Sequence, residues 1–244
     1  MAMPKNLAEW IEQINLFVYQ YRLYFIIGLA SLLVIGGGYW GYETYRKSVE
    51  AKVSVEVNHL SLQAMQILQG GELNLSAQDT LAQIQGDLNK LYQKNKWTSN
   101  GKRALFLAAN GDFRAGQTQA AREKYLTVYK SDRRHYLAPQ ALLFAAQTLE
   151  EEGQSAEAIK LLKDFERTYP GHFLFGEAQL TLSRNLLLNN QGDQALAVLD
   201  KLSQNRNLPY YASRAQEQKR VMAIKGGPVK NSPALPNLPR PPGS

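Results

Sequence analysis

Two hydrophobic patterns follow one another at the start of the chain. Leu7, Trp10, Ile11, Ile14, Phe17 and Val18 recur at helical spacing among polar neighbours, which predicts an amphipathic helical tail over 1–22. The second begins after Arg22. Leu23 to Tyr42 are twenty consecutive uncharged residues, and a helix of that length, rising about 1.5 Å per residue, covers the ~30 Å hydrocarbon core of a bilayer. Tyr19, Tyr21 and Tyr24 on one side, and Tyr39, Trp40, Tyr42 and Tyr45 on the other, bracket the run where amphipathic rings favour the headgroup level. A single transmembrane helix over 23–42 is predicted. It continues into a charged helical stretch with no small-residue cleavage site, so it reads as an anchor that stays in place.

From Glu43 onward the spacing remains helical through Gln69, where Gly70-Gly71 ends it. Leu81, Ile84, Leu88 and Leu91 then share one face of a stretch over Thr80 to Gln93, so residues 43–100 read as a continuing helix and a degenerate first hairpin. Farther on, a 37-residue period emerges. Ala121, Ala158 and Ala195 align, with Tyr125, Leu162 and Leu199 four residues later and Val128, Phe165 and Leu202 three beyond those. Upstream, Leu105, Leu142 and Gln179, then Ala108, Ala145 and Leu182, then Ala109, Ala146 and Ser183 keep the same interval.

Each unit reads as a helix A, a turn and a helix B. The turns are expected at Asn110 to Gly116, Glu151 to Gly153 and Asn189 to Gly192, the third shifted relative to the others. Small residues let the paired backbones approach, large ones fill the gap to the next unit, and stacking buries the face one hairpin leaves open. Pro139 suits the start of a helix A, Pro170 follows a helix B, and Pro209 opens a capping helix over 209–224, closing a repeat region over 101–225. Residues 226–244 hold six of the ten prolines. They read as a Pro-rich disordered tail, in which Pro233, Pro236, Pro239 and Pro242, every third residue, would lie along one edge of a polyproline II helix.

Composition narrows the function classes. No cysteine is present, so disulfides, thiolate metal sites and cysteine nucleophiles are excluded. The formal charge of +7 has no concentrated source: 18 of the 28 basic and 13 of the 21 acidic residues are spread over 101–225. Lys130, Arg133, Arg134, Lys219, Arg220 and Lys225 lack the aromatic interleaving that stacks bases, and no nucleic-acid partner is expected.

Candidate chemistry is sparse. Gly111 to Thr118 has the glycine spacing of a phosphate-binding loop, but Gln117 stands where the lysine belongs and no strand precedes it. Asp132 and His135 are the residues a hydrolytic dyad would use with a serine, without a nucleophile-elbow motif. Glu150, Glu151 and Glu152 point three ways on a helix and lack the alternation of a calcium loop. No catalytic, cofactor-binding or metal-binding residue is assigned, and the chain is read as a non-enzyme with no small-molecule substrate.

The turn glycines Gly116 and Gly153, the alanines Ala109, Ala121, Ala146, Ala158 and Ala195, Tyr125 and Pro170 resemble the tetratricopeptide repeat (TPR) over residues 102–207. The period of 37 and the missing helix A tryptophan and tyrosine depart from it. The resemblance implies an all-α fold, a right-handed superhelix of hairpins behind the transmembrane helix. It also implies a peptide- or partner-binding groove lined by helix A: Arg103, Phe106, Asn110 and Arg114 in the first unit, Gln140, Leu143 and Gln147 in the second, and Glu177, Leu180 and Arg184 in the third.

The whole plan of short tail, one span, continuing helix and degenerate hairpins resembles the membrane-anchored, periplasmic TPR-like ancillary subunits of the bacterial Sec translocon. That likeness implies a single-pass inner-membrane protein with a cytoplasmic N-terminus and a periplasmic domain, an adaptor for translocon subunits, chaperones or nascent chains. The alternative is a structural scaffold holding one fixed partner in an envelope assembly such as a secretion or motility apparatus. The local charge rule does not set orientation, because Lys5 and Arg22 are matched by Arg46, Lys47 and Lys52; the long C-terminal domain favours translocation of that end.

Overall fold

A computed structural model describes residues 7–69 and 75–224, and among these it holds nine helices and no strand. The expected Gly70-Gly71 terminator and the proline tail over 226–244 lie outside the described residues. Packing divides the chain between Lys52 and Val53.

Helix α1, Leu7–Gln69, runs through that division. It is bent by 55° between Ile14–Tyr24 and Ile26–Gln69. The expected span over 23–42 is therefore interrupted near its start, with neither proline nor glycine at the break. No single helix among the described residues is long and apolar enough to cross a membrane; the bent pair taken together meets that length and composition. Leu32, Leu33, Val34 and Ile35 are 68–74% exposed. Consecutive helical positions point about 100° apart, so the apolar surface there surrounds the helix. Beyond the division the behaviour changes, and Val53, Val57 and Leu60 are buried.

The second unit is a stack. Helices α2 (Leu75–Lys94), α3 (Ser99–Arg114), α4 (Thr118–Ser131), α5 (Ala138–Glu151), α6 (Ser155–Thr168), α7 (Phe175–Leu188), α8 (Gly192–Ser203) and α9 (Pro209–Ile224) each pack on the next. Contacts of α5 with α7 and of α7 with α9 place the A helices side by side. The 37-residue positions are its core: Ala121, Ala158 and Ala195 are fully buried, as are Val128, Phe165 and Leu199, and Tyr125, Leu162, Leu182 and Leu202 are nearly so. A further column runs through Ala104, Ala141, Ala178 and Ala215, all buried. It makes α9 the helix A of a fourth unit, so the capping helix continues the repeat.

The turns correct the sequence reading twice. Helix α3 extends to Arg114, so Asn110 to Arg114 are helical and the first turn is only Ala115 to Gln117. Gly111 breaks nothing there; a Cβ on it would meet the Gln85 side chain of α2, so its bareness leaves room for that side chain. The third turn is not shifted. Gly116 and Gly153 have φ of +75° and +72°, and Asn190, one period further on, has φ of +58°. Asn is among the residues that tolerate this left-handed region. Every turn closes with the same bonds: Gln117 N–H to Asp112 O, Gln154 N–H to Leu149 O and Gln191 N–H to Leu186 O, each 2.8 Å, the six-to-one bond of a Schellman cap.

Candidate functional site

The expected groove residues separate by register. Arg103, Gln140 and Glu177 occupy one position of successive A helices and are half-buried. Asn110, Gln147 and Arg184 occupy another and are half-buried too, while Arg114 is exposed. Phe106, Leu143 and Leu180 are correspondingly aligned but buried. Phe106 stacks against Phe144 at 5.8 Å and lies 5.5 Å from the Tyr125 ring; Leu180 joins the cluster of Leu199, Leu202, Ala215 and Met222. These three apolar side chains support the face from beneath and are not offered by it.

Three of the polar members, Arg103, Asn110 and Arg184, are held in place. Arg103 donates to Asn58 Oδ1 at 2.7 Å, and Tyr125 donates its hydroxyl to Asn110 Oδ1 at 2.7 Å. Burial pushes the Tyr125 hydroxyl well up, with nearby Asp112 adding to the shift, so it stays protonated as a donor. Arg184 forks onto Glu150, its Nε to one carboxylate oxygen and Nη2 to the other at 3.0 Å, and Asn185 Nδ2 donates to the same carboxylate at 2.9 Å. Asn185 is fully buried, and its Oδ1 accepts no hydrogen bond. Burial raises the Glu177 carboxyl above its ordinary 4.5, a rise Glu150 adds to and Arg184 and Arg214 oppose. The third unit is thus the most electrostatically loaded part of the face. Glu150 was read from sequence only as one of three adjacent glutamates, not as part of the groove, and Asn185 was not singled out. Their signal was a polar residue, Asn185, in the column that holds Gly111 and Thr148.

The other candidates resolve into structural roles. His135 Nε2 lies 2.8 Å from Ser99 Oγ, while its Nδ1 accepts from Leu137 N–H at 3.3 Å. Accepting at Nδ1 puts the ring proton on Nε2, which then donates to the serine instead of taking its proton. Asp132 is engaged by Lys102 and Arg134 N–H, which hold its carboxyl below the ordinary range. The same cap recurs at His172, where Nδ1 accepts from Leu174 N–H at 3.2 Å. The two histidines are one period apart and do one local job.

The phosphate-loop spacing is the turn from α3 to α4, beside an open depression of about 530 Å³ lined by Gly116 to Ala120, Glu123 and Glu152. Glu152 takes hydrogen bonds from Thr118 Oγ1 and Arg122 there, and those bonds hold its carboxyl low. A carboxylate already occupies the place of an anion. The three glutamates part as their helical angles require: Glu150 reaches forward to α7, Glu152 back to α4, and Glu151 is exposed. Among the described residues no group of acidic or histidine side chains is placed to hold a metal.

Comparison with known proteins bears on the fold. No family profile and no curated protein matches the chain. Among solved structures it is similar to a variant of a kinesin light chain-like protein of Podosopora anserina with nearly identical TPR-like repeats: TM-score 0.53, 17% identity, 69% of this chain and 89% of that one covered. The likeness concerns the fold, and the chain folds as a stack of TPR-like repeats.

Proposed function

We propose that the protein is a membrane-anchored adaptor whose TPR-like stack holds protein partners along its A helices, in the periplasm beside the Sec translocon. The observation that carries the binding reading is the paired row of half-buried polar side chains, Arg103 and Asn110, Gln140 and Gln147, Glu177 and Arg184, on three adjacent A helices. Such a row offers an extended peptide alternating hydrogen-bond donors and acceptors on a rigid base. Support for the anchor is the apolar surface that surrounds α1 after its bend, a pattern stable against lipid and costly against water. Confinement at a membrane machine raises effective concentration, so a weak groove is occupied.

A photo-crosslinker at Gln140 or Gln147 is expected to trap many nascent or unfolded chains, and one at Lys160, exposed on α6, to trap few. Adducts confined to Lys160 would sink the groove. A reporter fused after Ser244 that works only in the cytoplasm would overturn the periplasmic placement. The scaffold reading has its own support: Arg184, Glu150 and Asn185 are already locked together, as a surface preorganised for one fixed partner would be. A single stoichiometric adduct from Gln147 would favour it.

A further inference from the structure

The two edges of the stack differ. One is formed by the turns inside each hairpin, Ala115 to Gln117, Glu152 to Gln154 and Asn189 to Gln191, which carry no aromatic residue and no cation and a single acid, Glu152. The other is formed by the loops between hairpins. Trp97, Tyr136, Phe173 and Tyr210 stand on it, 48%, 60%, 74% and 66% exposed, and the last three are each 37 residues apart. Of the A helices these loops enter, α5 packs against α7 and α7 against α9, and α3 meets α5 through Phe106 and Phe144. Helix axes about 8–10 Å apart make the rings successive rungs of a ladder.

Two of the rungs are braced. The His135 ring lies 4.5 Å from that of Tyr136 and the His172 ring 4.4 Å from that of Phe173, and both histidines are fixed by accepting a backbone N–H. Holding the aromatics outward therefore costs little additional entropy. The same loops carry Lys96, Arg133, Arg134 and Arg206, all exposed. Their one acid, Asp132, is neutralised by Lys102 at 3.1 Å.

From this pairing of exposed rings with exposed cations we infer that the loop edge docks on an anionic lipid surface. Tyr, Trp and Phe rings favour the headgroup level, and cations near an anionic leaflet are each worth about fivefold in binding. Charge selects this occupant over the chain's own proline tail, whose ionised side chains, Lys230 and Arg240, are both basic. The inference rests on the membrane-anchored reading, which keeps the edge within reach of a bilayer.

The test uses the full chain in vesicles, and the absence of native cysteine makes single labels unambiguous. Gly171→Cys lies in the loop before Phe173 with open space beside its Cα, and Gln154→Cys lies in a hairpin turn on the opposite edge. Each carries a fluorophore, and the vesicles contain a headgroup-nitroxide lipid as quencher. In vesicles rich in phosphatidylglycerol the label at 171 is expected to lose at least half its emission and the label at 154 little. Phosphatidylcholine vesicles, or Tyr136→Ser with Phe173→Ser and Tyr210→Ser, abolish the difference. Arg134→Gln with Arg206→Gln, which keeps the rings, shifts the docking equilibrium about 30-fold toward release.

Equal quenching at both positions, or none at 171 while the chain resists alkaline carbonate extraction, overturns the docking with the anchor intact. The second result is the one expected if an acidic protein covers the edge instead. Release by carbonate defeats the anchor alone. The released chain must then still float with phosphatidylglycerol vesicles and lose that flotation in the triple serine variant; otherwise the docking fails as well.

Discussion

The run from Ile26 to Tyr42 in α1 and the helices α3 to α8 are both rich in apolar side chains, yet one exposes them on all sides and the others bury them in columns. Amount of hydrophobicity does not separate the two; recurrence does. In the stack, small residues return every 37 positions at helix crossings and large ones return between units, so each side chain meets a shaped neighbour. In α1 large residues follow one another without a polar face, which suits a solvent with no sides. Changes that respect or violate this recurrence should act oppositely in the two regions.

The largest contrast is expected from truncation. Phe165→Ala removes a fully buried ring and should cost the stack about 3–5 kcal/mol in chemical denaturation, whereas Leu32→Ala should leave that transition where it is. Overfilling comes next: Ala158→Leu forces a branched side chain into a crossing with no free surface and should cost about 1–3 kcal/mol, while Ala30→Leu, at an exposed site, should have no effect on the same curve. A smaller loss, about 1–2 kcal/mol, is expected for Gly153→Ala at its left-handed φ. Asn190→Gly should move the midpoint the other way, confirming the shared cap.

The subtlest test is a pH dependence. Burial lowers the His172 pKa below its ordinary 6.5. The unfolded chain therefore binds protons more readily, and the stability contributed by the neutral ring is complete above 6.5 and is lost as pH falls through the folded value. Protonation also removes the Nδ1 acceptor for Leu174 N–H. His172→Asn, whose side-chain oxygen can accept the same N–H, should flatten the decline in thermal midpoint measured from pH 7 to pH 5.

The core was legible because burial and period are both properties of the sequence. Ala121, Tyr125 and Val128 and their equivalents are large or small for reasons of packing alone, and a constant offset reveals them. What escaped depended on partners distant in sequence. Gly111 looks like a helix breaker until Gln85 is seen beside it, and Asn190 looks misplaced unless its backbone angle is known. The groove was legible as a set of A-helix positions but not as a surface. Whether Phe106 or Asn110 faces outward is decided by Phe144 and Tyr125, which meet them from other helices. Likewise the side chains of Asp132 and His135, three residues apart in sequence, have different partners because Lys102 and Ser99 claim them separately.

Each hairpin turn completes its hydrogen bonds within six residues, 112–117, 149–154 and 186–191, borrowing no backbone partner from the next unit. A unit is thus a self-terminating module, and chain length is quantised: inserting or deleting a whole 37-residue block should preserve every cap, crossing and rung, while any other number would put all later columns out of phase. Growth of such a protein by duplication would lengthen its binding face in fixed increments and leave its chemistry unchanged.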